Sequence, residues 1–212
     1  MAHYDLEEQE QLDTLKTWWK MYGNLVTGVV MAAAIAVVAW QGWNWYNNGQ
    51  AAQASAIYGV LEQAVATNDG QRIKAAAGEL TEKFGGTAYA SLGAMLAGRH
   101  SFDAGDLKTA HVQFAWVVEN GKDEMKDLAR LRLAAVELDE KEYDEALKQL
   151  SAEHAAAFDS RFLEAKGDVL VAQGKAGDAK AAYQAAIGKL GEQGGSGREI
   201  LQQKLDSLGG AA

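Results

Sequence analysis

The sequence predicts an all-α protein in which a single N-terminal transmembrane helix precedes an α-solenoid of helix pairs. Three observations predict this fold. The 212 residues include no proline, and since proline is excluded chiefly from helix interiors, its absence is typical of a chain that is nearly all helix. No residue in the range 21–61 carries a charge. Three later segments repeat the same order of small, turn and bulky residues.

The uncharged range contains a candidate membrane span. Residues 25–45 are 21 residues, which as a helix extend roughly 31 Å, the thickness of the hydrocarbon core of a bilayer. Aromatic residues flank the segment on both sides, as expected for side chains at the two headgroup layers; these membrane-interface anchors are Trp18, Trp19, Tyr22, Trp40, Trp43, Trp45 and Tyr46. A buried core helix and a cleaved signal peptide are the alternatives, but the stretch before the apolar segment is long and acidic. We therefore predict an acidic tail over residues 1–21 and a transmembrane helix over residues 22–46.

Basic residues predict the orientation of that helix. Lys16 and Lys20 lie just before it, whereas the first basic residue after it is Arg72. Because lysine and arginine stay on the cytoplasmic side, the N-terminus is expected in the cytoplasm. Residues 47–212 are then exported, which in a bacterium means the periplasm.

One face of the predicted span carries small residues. Gly28, Ala32 and Ala36 recur every four residues, so they share a helix face that allows another helix to approach closely. This packing face is one interpretation, and plain exposure to lipid is the other.

Internal repeats follow the membrane span. Small residues stand at Gly98, Ala134 and Gly167, alanines at Ala110, Ala146 and Ala179, and bulky residues at Phe114, Leu150 and Tyr183, with offsets of 36 and 33 residues throughout. These offsets are close to the period of about 34 residues of tetratricopeptide repeats. The small residue lets the two helices of a repeat cross closely, and the bulky residue fills the layer between repeats. Gly105 and Gly174 mark the turns, and Lys141 with Glu142 replaces the glycine in the middle repeat.

The two ends of the repeat region have weaker patterns. Residues 50–84 predict a further helix pair, broken near residues 67–70, with a degenerate repeat around Ala77. Glycines mark a flexible break over residues 191–197. Residues 198–208 predict a short capping helix, the last four residues are expected to be disordered, and the side chains expected to be buried in that helix are Ile200, Leu201, Leu205 and Leu208.

Several classes of function have no support in the composition. The chain has no cysteine and a formal net charge of −9, which rules out thiolate chemistry and disfavours binding to the phosphate backbone of nucleic acids. No nucleophile elbow, phosphate-binding loop or His-Glu-x-x-His pair is present. We therefore expect no catalytic residue, no metal site and no cofactor, and a protein that is not an enzyme.

A specific resemblance rests on the membrane segment. The sequence LKTWWKMYGN (residues 15–24), an uncharged span that ends in WQGWNWYNN, and an exported repeat region together resemble the YfgM-like family, the ancillary subunits of the SecYEG translocon. The resemblance covers essentially the whole chain and implies a protein of the bacterial inner membrane with its N-terminus inside. It also implies association with the translocon and with the membrane-anchored periplasmic chaperone PpiD, serving emerging unfolded polypeptides.

Tetratricopeptide domains bind partners in a concave groove lined by the first helix of each repeat. Carried over to this sequence, that rule gives a candidate groove with an apolar stretch and a charged third repeat; its residues are Leu92, Met95, Arg99, Phe102, Leu128, Leu131, Leu138, Arg161, Glu164, Asp168 and Val171. The other interpretation is that several of these leucines belong to the core.

Two hypotheses for function remain open at this point. In one, the protein is a membrane-anchored accessory factor of secretion whose exported domain binds proteins. In the other, it is a scaffold or regulatory tether for another envelope complex, which acts through the repeats or through the acidic tail.

Overall fold

A computed structural model describes residues 4–190 and 195–209, and within these ranges the protein consists of helices with no strand. The predicted all-α class is confirmed. The helices are α1 (Tyr4–Ala66), α2 (Gly70–Lys83), α3 (Ala88–Asp103), α4 (Leu107–Asn120), α5 (Asp123–Asp139), α6 (Tyr143–Leu150), α7 (Asp159–Ala172), α8 (Ala176–Leu190) and α9 (Gly195–Gly209), with a short 3₁₀ helix at Ala156–Phe158.

The chain divides into two compact units, residues 1–49 and residues 50–212. In the first unit, α1 has the length and composition needed to cross a membrane, and only 6% of its most apolar window is buried. Its apolar side chains therefore lack the cover that a soluble core would give them. The predicted anchors Trp18, Trp19, Tyr22, Trp40, Trp43, Trp45 and Tyr46 are all exposed, and so are Gly28, Ala32 and Ala36.

Aromatic side chains form a small cluster at the N-terminal end of the predicted span. The Trp18 ring lies 5.8 Å from the Tyr22 ring and 6.3 Å from the Trp19 ring, measured between centroids. The Trp19 indole covers Gly23, where a β-carbon would lie 3.2 Å from its Nε1. These rings present polar edges and apolar faces together, the combination that favours a membrane interface.

In the second unit, helices that are adjacent in sequence pack against one another from α2 to α9. Contacts also join α3 to α5 and α5 to α7, so the first helices of successive pairs are neighbours, as in a solenoid. This arrangement confirms the predicted tetratricopeptide-like stack of helix pairs. The predicted break in residues 50–84 is also present, because α1 ends at Ala66 and α2 begins at Gly70.

The turn within each pair uses a left-handed residue. Gly105 (φ 77°) and Gly174 (φ 73°) hold this position as predicted, Lys141 (φ 62°) holds it in the middle pair, and Asn68 (φ 55°) in the first pair. A side chain in this conformation costs about 1 kcal/mol relative to glycine, and asparagine tolerates it best. Asp69 and Asp106 follow two of these turns and accept a hydrogen bond from the third backbone N–H of the next helix, which caps it.

Side-chain volumes are complementary within each pair. In each pair, one residue lies seven positions before the left-handed residue and a second lies nine positions after it. These two residues are Gly98 and Phe114, Gly167 and Tyr183, Ala134 and Leu150, and Leu61 and Ala77. All eight residues are buried. A glycine therefore faces each aromatic ring, an alanine faces a leucine, and the first pair reverses the order, which keeps the layer filled at constant volume. This reversal is the physical reason why the first repeat is hard to recognise around Ala77.

The capping helix differs from its prediction at both ends and in one buried residue. Helix α9 begins at Gly195 and ends at Gly209, so the predictions of a flexible break at residues 195–197 and of disorder at Gly209 are wrong. Residues 191–194 and 210–212 lie outside the described residues. Leu201 is buried, and Leu205 and Leu208 pack against the buried residues Tyr183 and Ala186 of α8. The prediction for Ile200 is wrong, since this side chain is 50% exposed. One residue rotates a helix by about 100°, so Ile200 cannot share the face of Leu201.

Candidate protein-binding groove

The predicted groove residues lie on α3, α5 and α7, the first helices of three consecutive pairs. Within each helix they are spaced three, four or seven residues apart, so each set follows one face. Since α3 contacts α5 and α5 contacts α7, the three sets belong to neighbouring helices. Whether they bind a partner depends on how much of each side chain is free.

Apolar groove residues of α3 and α5 also contribute to the core. Met95 and Phe102 pack against the buried cluster that contains Phe114. Leu131 and Leu138 pack against the buried cluster that contains Phe162. All four side chains are partly buried, so each contributes to the packing between adjacent repeats and keeps some exposed surface.

On α3 and α5, three predicted residues are free of these core clusters. Leu92 and Leu128 are half-buried, and the clusters formed by the described residues do not include them. Arg99 is exposed, with its Nε 3.7 Å from a carboxylate oxygen of Asp103. An exposed ion pair of this kind contributes little to stability, so the Arg99 guanidinium is available to a ligand.

The acidic groove residues of α7 already bind a side chain of α9. The Lys204 ammonium of α9 donates to both carboxylate oxygens of Asp168, at 2.7 and 2.8 Å, and to Glu164 at 2.8 Å. The Tyr183 hydroxyl donates to Asp168 at 2.7 Å. Burial lowers the pKa of Lys204, but the hydrogen bonds to Asp168 and Glu164 together raise it further, so its pKa is higher than usual. Arg161 and Val171 stay exposed on the same helix.

Helix α1 carries a fourth row of side chains beside the candidate groove, which the sequence pattern did not reveal. Counted back from the left-handed turn residue, Tyr58, Glu62 and Val65 of α1 correspond to Met95, Arg99 and Phe102 of α3. The Tyr58 ring contacts the Tyr89 ring with centroids 5.8 Å apart, and burial, followed by Glu62, raises the pKa of Tyr58. The signal that locates this row is the Asn68-Asp69 turn rather than the repeat signature.

Two buried carboxylates on α5 were also missed. Glu137 is 2% exposed; its Oε1 accepts a hydrogen bond from Gln149 at 3.2 Å and lies 3.7 Å from His111 Nε2, while its Oε2 is without a partner among the described residues. Burial raises its pKa. Asp127 accepts the backbone N–H of Ala155 at 2.9 Å, which attaches the chain between α6 and α7 to α5. The described residues include no group of three acidic or histidine side chains arranged to hold a metal ion.

These features define the class of protein: a helical repeat protein of stacked helix pairs that follow one apolar helix with the length and composition to cross a membrane. The family model described as a tetratricopeptide repeat-like domain matches residues 16–210. A protein of Neisseria gonorrhoeae named "Ancillary SecYEG translocon subunit" is similar to this chain over nearly its whole length, with 34% identity across 96% of this chain and 98% of the relative. Relatives of the same name in Haemophilus influenzae and Escherichia coli are 28% and 26% identical, over 97% and 95% of this chain and 99% and 96% of their own lengths. The chain belongs to the family of these ancillary translocon subunits and is a single-pass inner membrane protein. No solved structure matches it.

Proposed function

We propose that the protein is a membrane-anchored, non-enzymatic accessory factor of the SecYEG translocon that binds newly exported polypeptides together with a PpiD-like periplasmic chaperone. The observation that carries this proposal is similarity along the whole chain, anchor and repeats alike, to relatives named as ancillary subunits of that translocon. The groove supplies the binding surface, and the apolar helix keeps that surface close to the membrane.

The proposed orientation puts the N-terminus in the cytoplasm and the repeat domain in the periplasm. Lys16 and Lys20 precede the span, and no basic residue follows it before Arg72. Each lysine or arginine resists translocation, so this asymmetry favours export of everything after residue 46. A reporter active only in the periplasm, fused after residue 209, tests the orientation; activity of a cytoplasmic reporter at that position would contradict it.

Within the membrane, we expect Gly28, Ala32 and Ala36 to contact a translocon helix. A β-carbon at Gly28 would meet nothing within 4 Å, so the close approach allowed by these residues is open to a partner. Replacement of Ala32 by leucine should reduce co-purification of the translocon. Ala34→Leu is the matched control, because two residues rotate the helix by about 200° and place Ala34 on another face. Equal losses in both variants would refute this contact.

In the groove, apolar contacts are expected to bind an extended or helical apolar segment, with charged residues at the rim setting its direction. Leu92 and Leu128 are half-buried and free of the core clusters, while Glu62 and Arg99 are exposed charges of opposite sign at corresponding positions of α1 and α3. Lys204 already pairs with Glu164 and Asp168. The proposed binding surface is therefore centred on the rows of α1, α3 and α5 rather than on that of α7.

Photo-crosslinking in cells tests this function. A photoreactive amino acid at Leu92 or Arg99 avoids the core positions of Met95 and Leu131, and a probe at Lys148 on α6, whose side chain is 74% exposed, is the control. We expect groove probes to capture translocon subunits, a PpiD-like chaperone or emerging chains, and the control probe to capture none of these. Capture of one unrelated envelope complex would contradict the proposal in favour of a scaffold. Deletion of residues 5–13 should leave the crosslinks intact, since loss of function on that deletion would indicate a regulator bound to the tail.

A further inference from the structure

A small cavity lies where the first turns of α3 and α5 meet the loops that lead into them, and we name it the α3–α5 pocket. Its volume is about 250 Å³. The residues that line it include Thr87, Ala88 and Ser91 at the start of α3, and Asn120, Lys122 and Met125 around the start of α5. Because the N-terminal end of a helix carries a partial positive charge, two positive helix ends border this cavity.

The N-terminus of α3 has no side-chain cap. Aspartates cap α2 and α4, but Thr87, at the same position of α3, donates its hydroxyl to the Phe84 carbonyl at 2.8 Å and does not cap the helix. Within residues 4–190 and 195–209, no acceptor receives the backbone N–H groups of Ala88 and Tyr89. The first turn of α3 also contains no acidic residue. The first amides of α3 are therefore open to an anion.

Two side chains add further donors to the α3–α5 pocket. Ser91 is 8% exposed, and its hydroxyl has no hydrogen-bond partner in the part of the chain that the structure describes. A hydroxyl so deeply buried is unfavourable unless it is hydrogen-bonded, so this group calls for a ligand or a water molecule. Lys122 is exposed, and no described carboxylate lies within ion-pair distance of its ammonium. The described residues that line the pocket include no carboxylate of their own.

The charges near the α3–α5 pocket favour a ligand with one negative charge. Lys122 supplies one positive charge, while Asp123 and Glu124, which follow it directly, are exposed carboxylates that do not line the cavity. These two repel a phosphate dianion more strongly than a carboxylate, since Coulomb repulsion grows with the charge of the ligand. A carboxylate also matches the donors present, because its two oxygens accept hydrogen bonds from amides and a hydroxyl together.

The α3–α5 pocket continues two rows of the candidate groove. Ala88 precedes Leu92 by four residues, and Met125 precedes Leu128 by three residues, spacings that keep side chains on one face of a helix. The pocket therefore lies about one helical turn beyond these groove leucines, toward the N-termini of α3 and α5. A chain that ends at this point brings a main-chain carboxylate to the open amides of α3, whereas a chain that continues brings only a neutral peptide group.

We propose that the α3–α5 pocket binds the C-terminal carboxylate of a partner polypeptide whose preceding apolar residues lie along the groove. The carboxylate accepts hydrogen bonds from the first amides of α3 and from the Ser91 hydroxyl, and the Lys122 ammonium balances its charge. Met125, which is half-buried, contacts the apolar side chain of the last residue. This inference rests on the proposed function, because it identifies the end of the chain that the groove binds.

Fluorescence anisotropy with the full chain in detergent micelles tests the pocket. The probes carry a fluorophore at the N-terminus: Gly-Ser-Ala-Leu-Ala-Leu with a free C-terminal carboxylate, the same peptide as a C-terminal amide, and the amide of Gly-Ser-Ala-Leu-Glu-Leu. We expect the free acid to bind at least about tenfold more tightly than either amide, the usual effect of a hydrogen bond to a charged group.

Three results with these probes would overturn the proposal. Equal affinity for the free acid and its amide would show that the carboxylate is not recognised. Tight binding of the glutamate-containing amide would make an internal side chain the ligand. Displacement of the free acid by an equal concentration of inorganic phosphate would indicate a site for free anions.

Variants assign the binding to the α3–α5 pocket. For the free acid, Ser91→Ala should weaken binding by about tenfold and Lys122→Met by about threefold, while the amide is unaffected. Ser101→Ala is the matched control for the serine, because Ser101 lies on the same helix, is also 8% exposed and does not line the pocket. Lys180→Met, at an exposed lysine of α8, is the control for charge. Unchanged binding of the free acid in both Ser91→Ala and Lys122→Met would overturn the proposal.

Leu92→Ala separates the pocket from the groove. This variant should weaken the free acid and the amide by the same factor, since both place apolar residues along the groove. If Leu92→Ala had no effect while the free acid still bound more tightly than the amide, the groove would be refuted and capture of the carboxylate supported. If the acid and the amide bound equally while groove crosslinks in cells persisted, the pocket would be refuted and the proposed function would stand.

Discussion

Gly167→Ala is the change whose effect the packing of the repeats predicts most directly. A β-carbon at Gly167 would lie 2.5 Å from Cδ1 and 2.9 Å from Cζ of Tyr183, well inside van der Waals contact. The Tyr183 ring cannot move aside easily, because it is buried and its hydroxyl donates to Asp168 at 2.7 Å. The added methyl group must therefore separate α7 from α8 or distort the ring's rotamer.

The expected loss of stability combines two effects. Overpacking of a buried site costs about 1–3 kcal/mol, while replacing a helical glycine by alanine gains up to about 1 kcal/mol in helix propensity. Because contacts of 2.5 and 2.9 Å with a buried ring place the overpacking cost in the upper part of its range, we expect a net loss of about 1–2 kcal/mol, which lowers the Tm of a domain of this size by roughly 2–8 °C. Gly188→Ala makes the same chemical change in α8, where a β-carbon would meet nothing within 4 Å, and should raise the Tm slightly.

Thermal unfolding of the full chain in micelles, followed by circular dichroism, measures both effects. A third variant tests the cause: in the Tyr183→Leu background, Gly167→Ala recreates the combination of Ala134 and Leu150 found in the middle pair, so its cost should fall by at least about 1 kcal/mol. If Gly167→Ala were as stabilising as Gly188→Ala, or if its cost were the same beside leucine as beside tyrosine, volume complementarity within the pairs would be refuted.

Three further changes have predicted outcomes. Glu137→Gln should stabilise the domain at pH 7 by on the order of 1 kcal/mol, because it replaces a buried charge by a neutral group of the same shape; Glu119→Gln, at an exposed site, should have no effect on the Tm. Since burial raises the pKa of Glu137 above its ordinary value of 4.5, the unfolding free energy should decrease as the pH rises from about 4.5 through that raised pKa, and this decrease should be missing in Glu137→Gln. Lys204→Met should lower stability by about 1 kcal/mol and speed hydrogen exchange in α9, and unchanged exchange relative to Lys180→Met would argue against anchoring of α9 by that lysine. Lys141→Gly should raise the Tm by the equivalent of up to about 1 kcal/mol, since glycine adopts the left-handed turn without strain, and a lower Tm would show that the lysine side chain contributes at the turn.

The structure changes which part of the proposed groove is free to contact a partner. The sequence assigned its charged end to Glu164 and Asp168, but these carboxylates already bind Lys204. Tyr58 and Glu62 extend the surface at the opposite end of the stack, beyond α3. A partner segment is therefore expected to approach the rows nearest the membrane-spanning part of the chain in sequence, where apolar and charged side chains remain free.

The sequence by itself determined the features that depend on local composition and on period. The uncharged range 21–61 predicts a membrane helix whatever surrounds it, because hydrocarbon excludes charge, and the spacing of Gly98, Phe114 and their counterparts predicts helix pairs because each pair must fill the same layer. The left-handed turns at Gly105, Lys141 and Gly174 follow from the same period.

Only the tertiary structure decided which distant side chains meet. Lys204 lies 36 residues from Asp168, and no local pattern relates them. The stacking of His154 on Phe162 depends on the path of the chain between α6 and α7. The repeat in the first pair was hard to recognise for the same reason. Leu61 and Ala77 fill the same volume as the residues of the other pairs, but the large residue comes before the turn and the small one after it. Packing constrains the sum of the two volumes rather than the identity of either residue.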